Sequence, residues 1–83
     1  MPEWVSSPVH RAIINALIAA RHDAGMTQRD LAEKLNRPRS FVGKIESIER
    51  NLSVLELVQW IEAVGLEREK IPELLGQNGD TNT

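Results

Sequence analysis

Apolar residues in this chain recur at three- and four-residue steps, the period of a helix buried along one face, and nowhere in the alternating order of a strand. Ile14, Leu17, Ile18, Arg21 and Ala24 mark one such stripe. Ser7 precedes it as a cap, Pro8 suits the first helical position, and Gly25 ends it in a left-handed turn. A second start follows at Thr27, a capping-box variant with Asp30 placed to answer the amide of the cap residue. The helix it opens is short, with Leu31, Ala32 and Leu35 facing inward. Asn36 tolerates a left-handed backbone, and Pro38 opens a third helix whose Val42 and Ile45 point to the core. After a loop at 48–52, Ser53 and Glu56 form another capping box. The fourth helix runs to Val64, with Leu57, Trp60, Ile61 and Val64 on one face, and Gly65 caps it. Pro72 would break a helix interior, so a last short helix is expected at about residues 72–75, after a charged turn at 67–70. The expectation is all-α, with five helices: an arm at 1–7, one domain at 8–76 and a polar, disordered tail at 77–83.

The stretch 28–47 joins two of these short segments through a turn, with the small Ala32 where they would cross closely. That is the pattern of a helix-turn-helix. Charge sharpens the picture. The net value is -2, yet residues 27–53 hold six basic and four acidic residues while residues 54–83 sum to -4. Arg37, Arg39 and Lys44 all fall between residues 36 and 45, with no acid among them. One basic edge on a neutral or acidic body suits a protein that turns a single face to phosphate. A merely solvated helix face is the competing explanation and does not predict the clustering.

Other chemistries find little support. There is no cysteine, hence no disulfide and no thiolate metal site. His10 and His22 stand twelve residues apart without a neighbouring ligand, so they read as surface or half-buried residues, with no metal and no cofactor expected. Tyr is absent, as are a paired His and acid and a Gly-rich phosphate loop, which leaves an enzyme as the least expected class. No apolar run approaches the roughly 20 residues of a membrane span, and no signal-peptide pattern opens the chain, so a cytoplasmic, nucleoid-associated protein is expected. At 83 residues one small domain is expected, without a separate ligand-sensing domain.

Leu17-Ile-Ala-Ala-Arg21, Gly25-Met-Thr-Gln28, Leu31-Ala32 and Ser40-Phe-Val-Gly-Lys-Ile-Glu46 together resemble the Xre/Cro-type helix-turn-helix regulators of bacteria and phages, the lambda-repressor-like DNA-binding fold. The similarity spans about residues 9–66, and its spacing is far more specific than any single motif in it. The resemblance implies that Arg21 pairs with Glu46, tying the first helix to the third. It implies that Gln28 contacts phosphate and braces the recognition helix, about residues 39–47. It places Arg39, Ser40, Gly43 and Lys44 toward the groove. The residue chemistry agrees: Arg39 and Ser40 lie in a helix's first turn, where free amides favour phosphate, and an arginine there reaches the paired acceptors of guanine. Lys44 follows Ser40 by one turn on the same face. Gly43 either lets the backbone approach the base edges or merely weakens the helix. Arg37, Arg50 and Asn51 flank the helix and suit backbone oxygens, with surface solubility as the alternative. Two positions depart from the family. Asn36 replaces the usual turn glycine, a mild change. Ile48 replaces the glycine after the third helix, which leaves open whether that helix runs on and where Arg50 and Asn51 lie.

Val54, Leu55 and Val58 point away from the core face of the fourth helix and, with Trp4, Leu66, Ile71, Leu74 and Leu75, exceed what so small a core buries. Arm and tail cover some of them on one reading. On the sharper one they form a two-fold interface, first of all along 66–75, and a homodimer sets two recognition helices about 34–36 Å apart on an inverted repeat of double-stranded DNA. The expected function is a sequence-specific transcriptional regulator. The alternative is a protein-interaction module of the same fold, an antitoxin or adaptor with a protein partner.

Overall fold

Each of the four helices among the described residues ends the same way, in a left-handed residue. The computed structural model describes residues 2–66. They form a 3-10 turn at Glu3–Ser6 and four helices: α1 (Pro8–Asp23), α2 (Gln28–Leu35), α3 (Arg39–Glu46) and α4 (Val54–Ala63). After each helix one residue takes a left-handed backbone: Gly25 at φ +72, Asn36 at +58, Ile48 at +62 and Gly65 at +88. The next amide then bonds back across the last turn: Met26 to Arg21, Arg37 to Ala32, Glu49 to Lys44 and Leu66 to Ile61, at 2.8–3.1 Å. This is the Schellman ending, which satisfies carbonyls that would otherwise be orphaned.

The starts are equally local. Ser7 Oγ accepts from the His10 amide, and the Thr27–Asp30 and Ser53–Glu56 boxes close in both directions. The Thr27 amide, donating to Asp30, holds that carboxyl below its usual range. Only α3 among the described helices begins without a side-chain cap.

Between these ends the apolar stripes converge. Ile14 and Leu17 of α1, Leu31 and Ala32 of α2, Phe41, Val42 and Ile45 of α3, and Trp60 and Ile61 of α4 are buried together. Trp60 fills the centre and donates its indole N–H to the Leu17 carbonyl at 3.3 Å, so its one polar group is satisfied. α2 packs on α3 and α4, and α1 closes the other side against both.

Three details go beyond the sequence reading. Residues 3–6, expected as part of an arm, form a 3-10 turn against α1, with the Trp4 ring 5.2 Å from that of His10. Phe41, which carried no expectation, belongs to the core. Ile48 does not prolong α3, but adopts the backbone of the glycine it replaces while packing against the core. The short helix expected near residue 72 and the tail lie outside the described residues.

Ile48 is β-branched in a conformation that costs a non-glycine residue roughly 1–2 kcal/mol, while burying part of an isoleucine returns a comparable amount. Ile48→Gly is therefore expected to change unfolding free energy by less than about 1 kcal/mol in urea titrations. A loss typical of an isoleucine deletion in the core would show the strain to be negligible.

Candidate nucleic-acid interface

Successive residues of a helix turn by about 100°, so eight residues of α3 divide into two faces. Phe41, Val42 and Ile45 point inward. Arg39, Ser40 and Lys44 are exposed and Gly43 lies between them, half-buried, which leaves an outward strip with two cations and no acid. Arg37 precedes this strip in the turn, and Arg50 and Asn51 follow it in the loop.

One side of the strip is fixed by Glu46. Its carboxylate accepts from Arg21 Nε at 2.6 Å, from Arg21 Nη2 at 3.0 Å and from Gln28 Nε2 at 2.9 Å. Arg21 also donates Nη1 to the Met26 carbonyl at 2.8 Å, and its Nη2 lies 3.2 Å from His22 Nε2. The paired side chains are only 8% and 7% exposed, so this bond ties α1, α2 and α3 together away from water. A Cβ added at Gly43 would meet Gln28 Oε1 at 3.6 Å, an ordinary contact. The fold itself does not demand glycine there. Arg39, Arg29, Gln28 and His22 line an open groove beside this cluster, between the starts of α2 and α3.

The other side is fixed by Glu56. Arg50 donates Nη1 and Nη2 to its two oxygens at 2.9 and 3.0 Å, and the Ser53 amide donates to Oε1 at 2.9 Å. Arg37 Nη2 lies 3.5 Å from the same carboxylate. Both guanidinium carbons sit over the Phe41 ring, 4.4 Å from its centroid for Arg37 and 4.8 Å for Arg50. The Arg50 hydrogen bonds, first among several causes, hold the Glu56 carboxyl down at about 2, and the same bonds raise Arg50 above its ordinary range. Asn51 uses its Oδ1 on the Leu52 amide at 2.8 Å and its carbonyl on Arg50 Nη1.

Sequence reasoning missed this second cluster. The Ser53–Glu56 spacing was visible as a helix start, but a capping box occupies only part of a carboxylate. Nothing periodic links Arg37, Phe41, Arg50 and Glu56. Arg29 was also missed, although its place beside Gln28 was there to be read.

A sequence model described as helix-turn-helix matches residues 17–71. The chain belongs to the Xre-type helix-turn-helix family. Among solved structures it is similar to an XRE-family like protein from Pseudomonas syringae pv. tomato str. DC3000, at 35% identity and a TM-score of 0.78, over 86% of this chain and 88% of that one. No curated protein matches the chain. The family is a DNA-binding, regulatory type, and the outward strip of α3 lies on the second helix of its motif. Among the described residues no helix is long and apolar enough to cross a membrane, and no cluster of acidic, histidine or cysteine side chains is arranged to hold a metal.

Two expected outcomes follow from the carboxylate clusters. Arg21→Ala leaves Glu46 buried with its charge largely unmet, which for a fully buried pair costs about 3–5 kcal/mol. The variant should melt far below the parent by circular dichroism, and an unchanged melting temperature would refute the tie. Glu56 titrates in the unfolded chain near its ordinary 4.5 and in the folded one near 2. Its contribution is therefore complete above about pH 4.5 and is lost as pH falls through about 2. Denaturant midpoints of Glu56→Gln should decline less than those of the parent across that window.

Proposed function

We propose that this protein is a sequence-specific transcriptional regulator that lays α3 in the major groove of duplex DNA. The observation that carries the reading is the acid-free strip of Arg39, Ser40, Gly43 and Lys44, bounded on both sides by carboxylates whose charge is already met. A groove-reading surface needs cations offered outward and no stray acid facing phosphate. In this reading Arg39 and Ser40 approach bases from the first turn of α3, whose amides no side chain caps. Lys44 lies one turn on, and Gly43 brings the backbone close. Gln28, Arg37, Arg50 and Asn51 flank them toward phosphates.

Two copies on an inverted repeat complete the proposal, because one short helix offers few base contacts. Val54 and Leu55, at the start of α4, are 78% and 65% exposed and supply apolar surface for such a pair. Leu66, at the start of the stretch first expected to form the interface, packs partly against the core, and the rest of that stretch lies outside the described residues. The same exposed pair favours the second reading, a different protein docking there as on an antitoxin or adaptor. The setting proposed is the cytoplasm, at the nucleoid.

Selection of binding sites from a genomic library, followed by titration of the selected duplex, tests the reading. The parent should lose affinity steeply with salt, and Arg39→Ala should lose about 1–3 kcal/mol while relaxing preference at one base pair. Sedimentation of the complex should return two chains per site. No enrichment over random fragments, with binding instead to another protein, would favour the second reading.

A further inference from the structure

Arg37 and Arg50 enter on opposite sides of α3, one in the turn before it and one in the loop after it, yet both guanidinium groups rest on the Phe41 ring. They are not equivalent. Arg50 spends three of its N–H groups, two on Glu56 and one on the Asn51 carbonyl. Arg37 makes only the 3.5 Å approach to Glu56; the two side chains are equally exposed, so it is the bonding that separates them. Two cations and one carboxylate leave one positive charge in surplus, and most of the uncommitted donors belong to Arg37, which has five N–H groups free of hydrogen bonds against two on Arg50.

We propose that Glu56 and Phe41 are positioning residues for DNA binding: with Arg50 as scaffold they hold Arg37 as a fixed cation that takes a backbone phosphate beside α3. This rests on the DNA-binding reading above and assigns different tasks within it to Arg37 and Arg50. The physical gain is preorganisation. A free arginine surrenders much rotamer freedom when it grips a phosphate, whereas a guanidinium already stacked and oriented has less to lose. The carboxylate that does the orienting also repels phosphate, so its effect on binding has opposite signs under the two possible roles. That opposition makes the role testable.

The probe is a mixed-sequence duplex spanning two half-sites, since phosphate contacts do not depend on sequence. Dissociation constants are measured by fluorescence anisotropy from low to moderate salt, with circular dichroism confirming the fold of each variant at the assay temperature. Glu56→Gln removes an acid near the duplex, yet it is expected to weaken binding several-fold and to flatten the log–log salt dependence by close to one phosphate contact per chain, about 0.9. Arg37→Gln should flatten it equally. Phe41→Leu should do so without any change of charge. A Glu56→Gln protein that binds as tightly as the parent or more tightly, as removal of a bystander acid would produce, overturns the proposal. So does an unchanged slope in Arg37→Gln, whose exposed side chain makes it the deciding variant should either of the others fail to fold. A parent protein that shows no salt-dependent binding at all defeats the DNA reading itself, a separate result.

Discussion

A carboxylate that has left water must be met by donors, and Glu46 is met by three hydrogen bonds from two helices. Everything outward on α3 depends on this. Glu46 is the last residue of the helix, so holding it fixes the end of α3 against both α1 and α2. The apolar core determines that α3 lies on the domain, but Val42 and Ile45 are greasy contacts that tolerate small rotations. A buried, bidentate ion pair is directional and resists them. Packing supplies most of the stability; the ion pair supplies the angle.

The Glu56 cluster does a similar job on the opposite flank with a different balance of exposure. Glu56 is buried, but its arginine partners keep about 40% of their side chains in water. Charge-assisted bonds there combine with stacking on Phe41, whose ring is part of the core below and the support for two cations above. The outward strip of α3 is therefore framed by two acids that present almost no negative charge to the surface. A chain of net charge -2 keeps a locally basic face by placing these acids under cations.

How much of this the sequence disclosed depended on the range of each interaction. Thr27 with Asp30, Ser53 with Glu56, and Asn36 at its turn are decided by residues within four positions of one another, so helix starts and stops were legible. The Arg21–Glu46 pair spans 25 residues and emerged only through resemblance to a family. Ile48 left the end of α3 open in the sequence because a β-branched residue ordinarily avoids a left-handed backbone. There the requirement to end α3 and cover the core outweighs the local preference. Phe41 and the Arg37–Arg50–Glu56 group stayed hidden because a turn, a helix, a loop and the next helix must all be in place before they meet. The basic strip of α3 was legible as a charge cluster, but the Glu56 group on its flank was not.

The most direct test of the central claim, a rigid α3 face offered to the duplex, is a map of backbone amide shifts in the labelled protein as duplex DNA is added. The account predicts that the largest changes gather on Gln28, Arg39, Ser40, Gly43 and Lys44, with Arg37 and Arg50 at their margin and α4 beyond Glu56 little affected. Changes concentrated around Val54 and Leu55, with the α3 strip silent, would contradict it.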